Sequence, residues 1–267
     1  MRNPGTRPPV GELEEALRAG RDGGHKLLVP YITGGMTRDW PQVLEAVCAA
    51  GADAVEIGIP FSDPMIDGPT IQRASVMALE GGATPTSILA SLRRAELSVP
   101  VVVMTYYNLV FRAGHRRFAS SLAESGVAGA IVADLPLEEA GGWCEEADRA
   151  GVETVLLVAP STPRERAERI CARSRGFVYG VGVMGVTGER ARLCGSAVGV
   201  ARLLKEITDL PVCIGIGVSS PAQAAEACAE ADGVVVGSAL VRRLIDGAGP
   251  DGAAEFVAEL RSGLDAA

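Results

Sequence analysis

Eight short apolar runs rich in valine and isoleucine recur along this chain and limit its fold. They are Lys26–Thr33, Ala54–Phe61, Val99–Tyr107, Ala128–Pro136, Thr154–Pro160, Phe177–Val183, Pro211–Val218 and Gly233–Leu240. Their apolar residues are continuous rather than strictly alternating, as in strands buried on both faces. Segments with helical spacing lie between them: Trp40–Ala50, Thr84–Ala95, Arg116–Ser125, Leu137–Ala150, Pro163–Ser174, Ala197–Thr208 and Pro221–Ala229, with a last one over Gly252–Leu264. Ala50-Gly51, Ser125-Gly126 and Ala150-Gly151 read as helix stops before the next strand. Strict β/α alternation implies a parallel sheet. Eight such units in 267 residues match a closed (β/α)8 TIM barrel, which takes about 250 residues. A doubly wound sheet would want G-x-G-x-x-G after its first strand, and Thr33-Gly34-Gly35-Met36 does not match. No linker or shift in composition interrupts the pattern. Residues 1–267 are therefore expected to form a single α/β domain. Its polar, proline-rich start (1–9) should be flexible, and an extra helix over Val10–Ala19 could lie across one end of the barrel.

Composition narrows the function classes. Apolar residues make up 48 % of the chain, enough for a large core, so disorder is not expected. Lys and Arg number 25 against 33 Asp and Glu, a net charge of −8. No basic run offers a footprint for nucleic acid or an anionic membrane. The cysteines Cys48, Cys144, Cys171, Cys194, Cys213 and Cys228 form no C-x-x-C, and His25 and His115 are the only histidines. The cysteines read as small buried hydrophobes in a reducing cytosol rather than as zinc ligands or disulfides. The start of the chain lacks a signal-peptide apolar core, and no window approaches the ~18 apolar residues of a membrane span. A cytoplasmic location is expected.

One run carries a charge in its middle. Ala54–Gly68 reads AVEIGIPFSDPMIDG, with Glu56 inside the strand and Asp67 on the loop beyond it. Burial raises a carboxyl pKa, and a proton-transfer group works best when its pKa lies near the operating pH. Barrel enzymes place their sites at the C-terminal ends of the strands. Asn108, Asp134 and Tyr179 also fall at or near those ends. Glycine-rich stretches follow the sixth, seventh and eighth runs: Met184–Gly188, Gly215–Pro221 and Val236–Ala239. Tight strand-to-helix turns alone would account for them, but glycine backbones and helix N-termini also cradle anions. G-x-G-V-S after the seventh strand with G-S-A after the eighth favours a phosphate site.

The run Glu56–Gln72, EIGIPFSDPMIDGPTIQ, resembles the signature of the tryptophan synthase alpha chain family. The similarity extends through Met104–Phe111 (MTYYNLVF), Ala133–Pro136 (ADLP), Gly185–Gly188 (GVTG), Gly215–Pro221 (GIGVSSP) and Gly237-Ser238, in the family's order. The resemblance implies a lyase that cleaves indole-3-glycerol phosphate to indole and glyceraldehyde 3-phosphate without metal or organic cofactor. It also implies a beta-chain partner in an alpha2beta2 assembly, with the alpha chain's partner face on the loops Ser62–Pro69 and Asn108–Gly114. By resemblance Glu56 transfers the protons, Asp67 holds the indole N–H, and the Tyr179 hydroxyl orients Glu56. Tyr31, Met104, Tyr106, Ala133 and Leu157 match the indole pocket. Thr187 matches a threonine on a closing loop, and Gly188, Gly217, Gly237 and Ser238 match the phosphate cradle.

Plainer readings stand beside these. Glu56 could be a salt-bridged interior residue, but no Lys or Arg lies at the predicted strand tops to pair with it. Asp67 could be a turn former, and Tyr179 a core residue. Asp63 is assigned to its turn, Asp134 and Asn108 to structure or substrate orientation, and both histidines to surface or strand-entry positions. The stretch Gly182-Val183-Met184-Gly185 replaces a polar S-R-x-G run found in many family members, which bears on loop closure. Gly180 and Gly182 leave the sixth run bare, so the pocket near Tyr179 is expected to be roomy. A stand-alone lyase that releases free indole, or a non-catalytic activator of a beta chain, are the alternatives.

Overall fold

The computed structural model describes residues 8–182, 195–215 and 217–267. Among them are nine strand segments: β1 (Leu27–Thr33), β2 (Val55–Gly58), β3 (Val101–Thr105), β4 (Val127–Val132), β5 (Glu153–Thr154), β6 (Leu156–Val158), β7 (Val178–Val181), β8 (Val212–Gly215) and β9 (Gly233–Val236). All pair in parallel, in the order β5-β4-β3-β2-β1-β9-β8-β7-β6. β5 and β6 are two pieces of the predicted fifth run, separated by Val155. The first piece pairs with β4 and the second with β7. This run joins the two ends of the sheet, so eight strands make a barrel, as the alternation implied.

The helices are α1 (Glu12–Asp22), α2 (Trp40–Ala49), α3 (Pro69–Glu80), α4 (Pro85–Leu92), α5 (Tyr107–Ala113), α6 (His115–Ala123), α7 (Gly141–Ala150), α8 (Arg164–Arg173), α9 (Gly195–Ile207), α10 (Pro221–Cys228), α11 (Ser238–Ile245) and α12 (Gly249–Asp265). Three of them depart from the sequence reading. α3 starts at Pro69, the last residue of the expected loop Ser62–Pro69; proline fits a first helical position, where its missing N–H costs nothing. α5 occupies most of the expected loop Asn108–Gly114, with only seven residues. α11 begins at Ser238, so the eighth strand ends at Val236 rather than Leu240. The three predicted stop glycines, Gly51, Gly126 and Gly151, do take positive φ (106°, 72° and 79°).

The barrel interior is filled by Val29, Ala54, Val102, Val155, Phe177, Cys213 and Val235. Leu13 and Leu17 of α1 join this cluster and are fully buried. The extra helix therefore closes the lower mouth, at the N-terminal ends of the strands. Burial of each leucine stabilises by roughly 1.5–3 kcal/mol. No side chain at Gly11 caps α1. Instead the Glu153 carboxylate, from the start of β5, accepts the Leu13 N–H at 2.8 Å and the Glu14 N–H at 3.3 Å. A Cβ on Gly11 would lie 2.5 Å from the Glu153 carboxyl carbon, so only glycine lets the helix end approach it.

Among the described residues no helix is long and apolar enough to cross a membrane. Cys48, Cys144, Cys171, Cys213 and Cys228 are free and buried, as small hydrophobes should be; Cys194 lies outside the described residues.

Candidate active site

Side-chain alternation along the strands builds the upper interior. Glu56 on β2 stands beside Tyr31 on β1 and Val102 on β3; Tyr179 on β7 stands between Leu157 on β6 and Cys213 on β8. Glu56 faces into the barrel. With Tyr31, Asp67, Met104, Leu157, Tyr179, Gly217, Gly237 and Ser238 it lines one cavity of about 220 Å³. These residues come from five strands and three loops, and they share a wall only once the barrel has closed.

Glu56 is 1 % exposed, and among the described residues its Oε2 has no hydrogen-bond partner. Burial, and then the nearby Asp67 charge, push its carboxyl pKa up to about 8. The group therefore holds its proton near neutrality. Asp67 sits on the rim of the cavity. Burial raises its pKa too, but a hydrogen bond from the Tyr106 hydroxyl opposes the rise. Both carboxyls are thus pushed toward the acid form, and only on Asp67 does a hydrogen bond hold the rise back.

Asp67 is held by its loop. The Ile66 N–H donates to the Tyr106 hydroxyl oxygen at 3.2 Å, and Phe61 stacks on the Tyr106 ring at 5.1 Å between centroids. The Asp67 N–H donates to the Pro64 carbonyl, and Gln72 of α3 donates to the Asp67 carbonyl. On the opposite wall the first turn of α11 opens on the cavity through Gly237 and Ser238. The first N–H groups of a helix have no intrahelical acceptors and carry the positive end of its dipole, so this wall suits an anion. Gly217 reaches the same wall with φ of 74°, a backbone conformation that favours glycine.

Residues 17–262 match the family model described as tryptophan synthase alpha chain. The chain belongs to the tryptophan synthase alpha chain family. It is 44 % identical over 264 residues to the tryptophan synthase alpha chain of Streptomyces coelicolor, covering 94 % of this chain and 96 % of that one. It is 45 % identical over 240 residues to that of Halorhodospira halophila, covering 88 % of each. Among solved structures, tryptophan synthase from M. tuberculosis in a ligand-free form matches with a TM-score of 0.86 and 35 % identity, over 96 % of this chain and 99 % of that one. The alpha subunit from Legionella pneumophila matches with 0.87 and 29 %, over 97 % and 100 %.

The family resemblance named other residues, and the structure distributes them. Tyr106 supports Asp67 from behind, 6 % exposed. Ala133 lines a neighbouring cavity of about 370 Å³ with Asp134, Leu135, Leu156 and Ile170, and only Leu157 is common to both cavities. Thr187 and Gly188, with the Val183-Met184 departure, lie outside the described residues. Asp134 accepts the Tyr107 N–H at 2.6 Å and so anchors the start of α5; Asn108 is exposed. Asp63 accepts the Ser62 hydroxyl in its turn. His25 pairs with Asp53 at the strand entry, and the His115 ring lies 3.0 Å from the Tyr107 hydroxyl.

Gly180 does not widen the pocket. A Cβ there would meet Ile214, Val200 and Leu204, so this glycine faces outward and lets α9 pack close. The inward glycine on the neighbouring strand is Gly215, and its space is taken by the Tyr179 hydroxyl, 2.5 Å from where a Cβ would stand. The sequence reading did not name Ile66, Gly68, Ile71, Val181, Gly215 or Val235 as lining residues. Two of them were within reach: Val181 and Gly215 stand two positions beyond the inward Tyr179 and Cys213, and so on the same face.

Proposed function

We propose that this cavity cleaves indole-3-glycerol phosphate to indole and glyceraldehyde 3-phosphate by a retro-aldol reaction, with Glu56 as acid and then base. As a member of its family the chain is a carbon–carbon lyase, the alpha subunit in tryptophan biosynthesis. The observation that carries the assignment to Glu56 is its state. It is a buried carboxyl with one oxygen unpartnered among the described residues, its pKa pushed up to about 8, facing a cavity onto which the first turn of α11 opens.

The steps follow from these positions. The Glu56 carboxyl gives its proton to indole C3, which leaves an iminium at the ring nitrogen. Asp67, as the anion, accepts the indole N–H and stabilises the positive charge that develops there. The Glu56 carboxylate then takes the proton from the side-chain hydroxyl next to C3. As that hydroxyl becomes the aldehyde carbonyl, the C–C bond breaks and its electron pair neutralises the iminium. Indole leaves, and Glu56 is an acid again. Tyr31, Met104, Leu157 and Tyr179 enclose the ring, and Gly217, Gly237 and Ser238 receive the phosphate.

A beta chain is the partner that the family membership and the solved tryptophan synthase structures suggest. Met65 (90 % exposed) and Phe111 (66 % exposed) support a partner face on the loop after β2 and on α5, because large apolar side chains left in water there need a cover. The test is steady-state cleavage of indole-3-glycerol phosphate by the purified chain, with and without its organism's beta chain. The expected result is weak activity that rises steeply with the beta chain. High activity unmoved by it would mean a free lyase, and no activity either way would overturn the reading.

A further inference from the structure

Tyr31 is more than a wall. It is the cross-strand neighbour of Glu56 and lines the same cavity, yet its ring reaches along β2 toward the strand top. Its hydroxyl occupies the space where a side chain at Gly58 would stand, so a methyl there would overlap it outright. Gly58 lies two positions beyond Glu56 and shares its face of the strand. The hydroxyl therefore sits on the Glu56 side of the barrel, near both carboxyls. Thr33, fully buried and on the same face of β1 as Tyr31, donates its hydroxyl to the Tyr31 oxygen at 3.3 Å. With that oxygen already accepting a bond, the tyrosine's own proton is left to give. Two carboxyls lie near it, Asp67 and Glu56, and Glu56 Oε2 has no hydrogen-bond partner among the described residues.

We infer that Tyr31 is a positioning residue for the cleavage reaction: its hydroxyl, oriented by Thr33, donates to the Glu56 carboxylate formed once the proton has passed to the substrate. A hydroxyl held by Thr33 on the same wall has only to turn toward that new charge, so little reorganisation is needed. The bond strengthens as Glu56 ionises, so it acts on the transition state more than on the bound substrate. The other ionisable groups around Glu56 are Asp67 on the loop, Tyr106 behind it, Tyr179 on β7 and Cys213 on β8. Asp67 opposes ionisation of Glu56, and Tyr106 is engaged by Asp67. Tyr179 fills the space over Gly215 on the far side of the barrel.

This inference rests on the proposed role of Glu56, and the two can fail separately. The experiment is the pH dependence of kcat and kcat/KM for cleavage of indole-3-glycerol phosphate by the complex of this chain with its beta chain, for wild type, Tyr31→Phe and Thr33→Val. Tyr31→Phe keeps the ring and the wall. It should lower kcat about tenfold with KM nearly unchanged. It should also move the alkaline limb of kcat/KM to higher pH, because the ionised form of Glu56 has lost a donor. Thr33→Val should shift the limb the same way by less. A Tyr31→Phe enzyme with wild-type kcat and an unmoved limb would overturn the inference, as would a loss confined to KM. Should Tyr31→Phe not fold, an unmoved limb in Thr33→Val overturns it equally. Full cleavage by Glu56→Gln would instead sink the role of Glu56 itself.

Discussion

Glu153 at the lower mouth of the barrel and Glu56 at the upper are equally buried, each 1 % exposed. Their surroundings differ. Glu153 accepts two backbone N–H groups from the start of α1 and lies near Arg175, and these oppose the rise in pKa that burial imposes. Among the described residues no cation offsets the burial of Glu56, and one of its oxygens has no partner. A buried carboxylate met by donors fixes structure; one denied them keeps its proton and can deliver it. The same residue type, at the two ends of one barrel, is structural in the first case and reactive in the second because of what faces it.

The sharpest way to break this comparison is Glu56→Gln. It should fold and bind substrate but lose at least about a thousandfold in kcat, since a positioned acid/base is typically worth 10²–10⁴. Indole release measured against wild type checks this. Asp67→Asn should cost about a hundredfold in kcat, as expected when one electrostatic stabiliser of the developing charge is removed. Glu153→Ala should do the converse. Losing both α1 contacts should lower unfolding stability by about 2–4 kcal/mol, read by denaturant titration, while leaving kcat of the folded enzyme within twofold.

The smallest effect is in pH. Glu56 is protonated up to about pH 8 when folded but only to about 4.5 when unfolded. Between those values the native state binds the extra proton, so this group makes stability fall as pH rises through the window. Chemical denaturation of wild type and Glu56→Gln across pH 5–8 should show a steeper decline in wild type. Parallel curves would mean that Glu56 is ionised in the native protein.

The barrel was legible because eight strands buried on both faces leave continuous apolar runs that nothing else in the chain imitates. Glu56 was legible as the one charge in the middle of such a run. The helices α3, α5 and α11 were harder to see for local reasons: a proline that starts a helix also marks a turn, and a helix of seven or eight residues directly after a strand reads as loop or as more strand. The site's limits were less legible still. Ala133 belongs to a second cavity, and Gly58 and Gly215 matter because of tyrosines on neighbouring strands. Contacts of that kind depend on register, which periodicity within one segment does not report.

The plug formed by Leu13 and Leu17 has a consequence for control. With its floor sealed, the barrel is a vessel with one opening, and the polarity felt by Glu56 is set at the rim. A cover over that rim would deepen the burial that already raises the Glu56 pKa, without touching the residue. A docking event on the outer loops can thus act as a dial on acidity, and the N-terminal helix, far from the chemistry, is what makes that single dial sufficient.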